Sequence, residues 1–181
     1  MTSPATPVDD EAARVRGYLI SQANKLSLTD LVTKVRTDSA ALEAAGAAVP
    51  AARFNDRPGE GEWSAAEVWT HVLQMSENGA ASITGIIESG AKPAPARDVI
   101  SGETRSALTN SEAYWQTYIA VREKLYARVL EAKGDEHLDV KISHMTFGDF
   151  SWREWLLFMR VHDLDHMRQL QALALAQAFA G

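Results

Sequence analysis

The chain has 181 residues, 46% of them hydrophobic and 23% charged, a composition that suits one globular domain with a sizeable core and excludes a disordered or fibrous chain. Its formal net charge of -6, with no basic run, argues against nucleic acid as a partner, because binding a phosphate backbone needs clustered Lys and Arg. There are 0 cysteines, which rules out disulfides, thiolate metal ligands and a cysteine nucleophile, so any metal must sit on His, Asp or Glu.

The opening "MTSPATPVDDEAARVR" lacks the apolar core of a secretory signal. No segment approaches the ~18 apolar residues of a membrane span, so the cytoplasm is the expected location and no membrane partner is expected. A short amphipathic segment follows, with Val15, Leu19, Ala23 and Leu26 recurring at helical spacing. Residues 1–26 are thus expected to form an N-terminal helical extension, set apart from a main domain at 27–181.

From Ser27 the stripe Leu28, Leu31, Val32, Val35, Ser39 and Leu42 predicts a first bundle helix, which ends near Gly46 and Pro50. "AARFNDRPGEG" reads as a loop. In "EWSAAEVW", Ser64 and Glu67 have the spacing of a capping box, with Trp63 and Val68 placed as its hydrophobic staple, and the helix that starts there should stop at Gly90. The linker "AKPAPARDVISG" is longer than an antiparallel turn needs, enough to carry the chain back along a bundle.

A third helix carries Tyr114, Trp115, Tyr118, Ile119, Arg122, Leu125 and Val129 on one stripe, starting at a Thr109/Glu112 capping box or as early as Glu103 and closing at Gly134. "HLDVKI" alternates Leu138, Val140 and Ile142 against polar neighbours, the pattern of one short strand. Ser151 and Glu154 then form a second capping box, and the fourth helix runs from there almost to the end. The pattern predicts an all-α four-helix bundle with an N-terminal extension and one short strand before the last helix.

On the fourth helix, Trp155, Met159, His162, His166, Leu170 and Leu173 share one face, while Arg153, Arg160, Arg168 and Gln171 lie opposite. Two inward imidazoles one turn apart can reach a single ion at ~2.0–2.1 Å. His71, in the second helix beside Gln74 and Asn78 on the shoulder of the Val68, Val72, Met75 and Ile86 stripe, is the natural third donor. Three imidazoles leave a coordination position open, as catalytic sites do. His137 and His144 flank the expected strand and need no such role.

"HDLDH" imitates the zinc-protease motif, but no His, Asp or Glu follows His166, and Asp163 is shorter than the glutamate that serves as general base there. Asp163 and Asp165 read as solvated or helix-pairing charges, Glu67 as a cap before a support for His71, and the tryptophans at 63, 69, 115, 152 and 155 as core and staple residues.

Two blocks, W-S-x-x-E-V-x-x-H at 63–71 and F-G-x-x-S-W-x-x-W with H-D-x-x-H-x-x-Q-L at 147–170, resemble the DinB-like superfamily of bacterial four-helix bundles, which includes YfiT-like metal-dependent hydrolases, thiol-dependent S-transferases and maleylpyruvate isomerases. The likeness runs from about Leu28 to Leu175. It implies that the second and third helices run parallel across a long crossover, that His71, His162 and His166 hold a divalent transition metal (Zn, Ni, Fe, Cu or Mn), and that homodimers are common.

The expected activity is that of a transferase, in which a low-molecular-weight thiol at the open position loses its proton and attacks an electrophile in S-transfer or isomerisation. Two alternatives are hydrolysis with water in that position and a non-catalytic metal- or ligand-binding stress protein. No thiol-recognition signature is present in the sequence, and it names no catalytic residue beyond the ligands.

Overall fold

The computed structural model describes residues 7–93 and 107–178. The described helices are α1 (Pro7–Lys25), α2 (Leu28–Ser39), α3 (Ala41–Ala47), α4 (Ala65–Ser89), α5 (Ser111–Leu130) and α6 (Trp152–Ala178), with a 3-10 turn at Ala51–Arg53 and a hairpin of β1 (Ile142–His144) and β2 (Gly148–Phe150). The protein is all-α, as the periodicity predicts. Most of the Pro-rich linker, and a start of the third helix at Glu103, lie outside the described residues.

Local chemistry sets the helix ends. Ser64 accepts from the Glu67 N–H while the Glu67 carboxylate accepts from the Ser64 N–H at 2.9 Å, which starts α4 as the capping box predicts. Gly90 ends it in the left-handed region at φ 66. At α6, the Ser151 N–H donates to Glu154 at 2.7 Å. The α5 cap is Asn110 rather than Thr109: its side chain accepts from the Ala113 N–H at 2.9 Å.

The first bundle helix is interrupted. α2 passes into α3 at Ala40, where the Glu43 N–H bonds back to the Ala40 carbonyl, tightening the turn. The expected strand also differs. Leu138 and Val140 lie in a turn closed by the Val140 N–H on the His137 carbonyl, and Ile142 begins an antiparallel pair in which it faces Phe150. Alternation placed the apolar residues correctly, but the turn signal of Gly148, at φ 77, marks a hairpin rather than a lone strand.

Paired side chains give the topology. α4 and α5 meet at their starts through Thr70 and Tyr114, whose hydroxyls lie 2.7 Å apart, and at their ends through Arg128 and Glu88, so they run parallel. α2 and α3 oppose α5, through Arg36 on Glu123 at 2.7 Å and the Ser111 hydroxyl on the Gly46 carbonyl at 2.8 Å. α6 opposes α4, since His71 meets His162 whereas Gly79 lies against Met159 and Trp155. α1 docks on α6: Leu19 and Ala23 are buried, and Arg153 donates to the carbonyls of Ala23 and Leu26.

Among the described residues the core is two apolar clusters. One gathers Val35, Leu125, Val129, Trp155 and Met159. The other gathers Leu42, Trp69, Tyr114, Tyr118 and Leu170. α2/α3, α5 and α6 cross from one to the other at a polar layer of Ser39, Arg122 and Asp163, all buried. Asp163 is therefore not solvated. Its Oδ2 accepts from Arg122 at 2.6 Å, from the Ser39 hydroxyl at 2.7 Å and from the Tyr118 hydroxyl at 2.8 Å.

Burial is the largest influence on the Arg122 pKa and pulls it down, but the Asp163 carboxylate together with Tyr118 and Tyr126 raises it, and the net shift is upward. Burial likewise holds the Tyr118 hydroxyl well above its ordinary pKa, so it remains a donor. The clue in the sequence was Arg122 itself, a cation within an apolar stripe that demands a buried acid.

Asp163→Ala should destabilise the fold by ~3–5 kcal/mol, because it leaves the guanidinium buried and unpaired. The double change Arg122→Met with Asp163→Leu should cost less than either single change, as urea midpoints would show. A Cβ at Gly46 would sit 2.7 Å from the buried Trp69 ring, which cannot swing away. Gly46→Ala should thus lose ~1–3 kcal/mol despite the gain in helix propensity, with an unchanged denaturant slope. At Gly79 the nearest atom is the flexible end of Met159, and Gly79→Ala should cost less.

Candidate metal centre

The box-capped start of α4 fixes the helical phase that brings His71 round to α6. The antiparallel packing of the two helices then sets His71 opposite the turn bearing His162 and His166. The Nε2 atoms of His71 and His162 lie 2.9 Å apart. Ring centroids are 4.4 Å apart for His162 and His166 and 4.8 Å for His71 with each of the others. One nitrogen from each ring falls within 4.8 Å of the others. Sequence spacing nominated these same three residues.

The donor set suits a divalent cation. Two imidazoles bound at ~2.1 Å to one ion hold their nitrogens ~3.0–3.4 Å apart, close to the separation seen between His71 and His162. His166 is oriented by Gln169, whose Oε1 lies 2.8 Å from Nδ1. An amide oxygen only accepts, so Nδ1 carries the proton, and in the neutral ring Nε2 is the nitrogen left with a lone pair. The His162 Nδ1 is buried with no partner among the described residues, so that nitrogen is not committed to a protein carbonyl or carboxylate.

Burial is the main cause that lowers the His162 pKa well below its ordinary value, helped by His166 and His71. The ring is neutral at neutral pH, the form a metal requires.

Other candidates separate cleanly. Both Glu67 oxygens are held by Arg57, and one also by Ser64, so the carboxylate serves as a cap. Arg57 is the first cause of its lowered pKa. His144 Nδ1 accepts from the Thr146 and Phe147 N–H groups in the hairpin, and His137 sits in a turn at φ 48; neither joins the cluster. Asp163 points into the polar layer, which removes it as a protease-like base.

One residue of the site was missed. Besides packing on the core beside the start of α4, Trp63 stacks its ring on His166 at 6.2 Å with an interplanar angle of 7° and meets the edge of His71 at 5.3 Å. It covers one side of the cluster. Its place one residue before the α4 cap, two turns from His71, was the available signal. Trp69, Trp152 and Trp155 are fully buried core residues, as expected.

The family model of the DinB superfamily matches residues 34–170. The chain belongs to the DinB superfamily, and its histidine cluster is compatible with metal binding. No curated protein matches it in sequence. Among the described residues no helix is long and apolar enough to cross a membrane.

The depressed His162 pKa has a signed consequence. An unfolded histidine takes up a proton near pH 6.5, whereas the folded ring resists until much lower pH, so the unfolded state binds more protons between those limits and stability is lost as pH is lowered through them. Metal-free protein should lose melting temperature from pH 7.5 to 5.5. His162→Leu should flatten that slope, as calorimetry across the range would show.

Proposed function

We propose that the protein binds a divalent transition metal through His71, His162 and His166 and uses the site to activate a low-molecular-weight thiol for S-transfer or isomerisation of a small electrophile. The observation that carries this reading is the convergence of three ring nitrogens, within 4.8 Å of one another, from two helices. Three protein donors leave room for a reactant, and among the described residues no carboxylate joins the cluster to neutralise the cation's charge. The chemistry such an ion supplies is a lowered pKa for a thiol or water held beside it.

The chain's own residues do the rest. His162 is held neutral by burial, so binding a cation there does not first require removing a proton at neutral pH. Gln169 fixes the tautomer of His166. Trp63, parallel to the His166 ring, shields that side of the cluster from water and offers an apolar surface to a substrate. The polar layer beneath, through Asp163 next to His162, locks the rotation of α6 and hence the direction of both imidazoles.

Metal analysis of the purified protein should find about one ion per chain, and His71→Ala, His162→Ala and His166→Ala should each lose it while keeping their helical circular dichroism. Unchanged metal content in these variants would remove the site. With metal bound, turnover of an electrophile panel should require added thiol. Metal-dependent turnover in water alone would instead assign hydrolysis, and no turnover at full occupancy a binding role.

A further inference from the structure

Beside the cluster lies an open groove of about 410 Å³ between the 58–63 loop and the C-terminal half of α6. Its volume falls in the ~300–1,000 Å³ range of small-molecule sites. The walls are apolar, made by Pro58, Ala172, Leu173 and Ala176. The polar groups gather at one end, where His166 and Gln169 line it together with Trp63. From His166 to Ala176 the helix advances ten residues, ~15 Å at 1.5 Å per residue, so the groove leads directly away from the histidines along α6.

The charge of the lining is one-sided. Glu62 is its charged residue, and among the described residues no Lys or Arg contributes to it. A carboxylate or phosphate on the body of a ligand would enter apolar walls with no cation to compensate the lost hydration, and it would face the Glu62 carboxylate.

We propose that this groove is the substrate-binding subsite of the protein and that it takes a neutral molecule with an apolar body, a fused aryl group or a chain of up to roughly ten carbons, whose polar reacting end lies against Trp63, His166 and Gln169. The assignment of that end as the reacting one rests on the proposed function of the histidine cluster. The groove's preference for neutral, apolar bodies rests on the lining alone. Gln169 serves both parts, since its carboxamide oxygen meets His166 while its NH2 can donate to an acceptor on the substrate.

The test uses full-length protein, as purified and as His162→Ala, with the neutral fluorescent probe N-phenyl-1-naphthylamine. Two competitors share one aryl body, 1-naphthylacetamide and 1-naphthylacetate, and differ in charge. His162→Ala separates a carboxylate held by metal from one held by the groove. Ala172 and Ala176 are exposed helix positions on the wall, so Ala172→Trp and Ala176→Phe fill the groove without entering the core.

The expected result is saturable probe binding to both proteins, at least ten-fold weaker in the two filling variants with unchanged circular dichroism. In His162→Ala the amide should compete at least ten-fold better than the acetate. Probe binding that survives both filling variants, or an acetate that competes as well as the amide in His162→Ala, would overturn the proposal. Metal content is measured on the same samples, so loss of the metal reading with the groove result intact, or the reverse, identifies which of the two has failed.

Discussion

The structure turns on the ion pair of Arg122 with Asp163, both essentially withdrawn from water at the junction of two apolar clusters. Taking two charges out of solvent is costly, and an all-apolar replacement of the same volume is often at least as stable. What the pair supplies is specificity. A purely apolar seam would let α6 rotate or slide by a fraction of a turn at little cost. A carboxylate that must meet Arg122, Ser39 and Tyr118 at one oxygen permits one rotation and one register.

That constraint reaches the candidate site because Asp163 follows His162 in the chain. With Asp163 aimed at α5 and α2, the neighbouring positions 162 and 166 are turned toward α4, where His71 waits. The apolar surroundings that make Asp163 need a partner also keep His162 neutral. The polar layer and the imidazole cluster are thus two faces of one level in the bundle, one holding opposite charges together and the other gathering imidazole nitrogens.

Local chemistry made much of this legible from residues alone. The capping boxes at Ser64 and Ser151, the glycine stop at Gly90 and the i, i+4 histidines depend on neighbours a few positions away, and the structure shows them where spacing put them, whereas the box expected at Thr109 gives way to a cap one residue later at Asn110. His71 could be nominated because it lies on the shoulder of a strong apolar stripe. Asp163 and Trp63 were only partly legible for a common reason: each takes its meaning from residues far along the chain, Ser39 at a separation of 124 for the aspartate and His166 for the tryptophan. The hairpin was half legible, since alternation put Leu138, Val140 and Ile142 on the inner side, but only Ile142 lies in a strand and nothing in the spacing said what it pairs with.

The sequence by itself determined the helical character of the chain, the capped starts of α4 and α6, the stop at Gly90 and the two histidines that share a turn of α6, because backbone hydrogen bonding and hydrophobic period act over one or two turns. Only the tertiary structure decided which acid is buried, which tryptophan shelters the imidazoles and that a groove whose lining holds no cation among the described residues runs from them along α6. Those outcomes depend on how distant helices pack and on what burial does to charge, and neither is written in the spacing of residues along one helix.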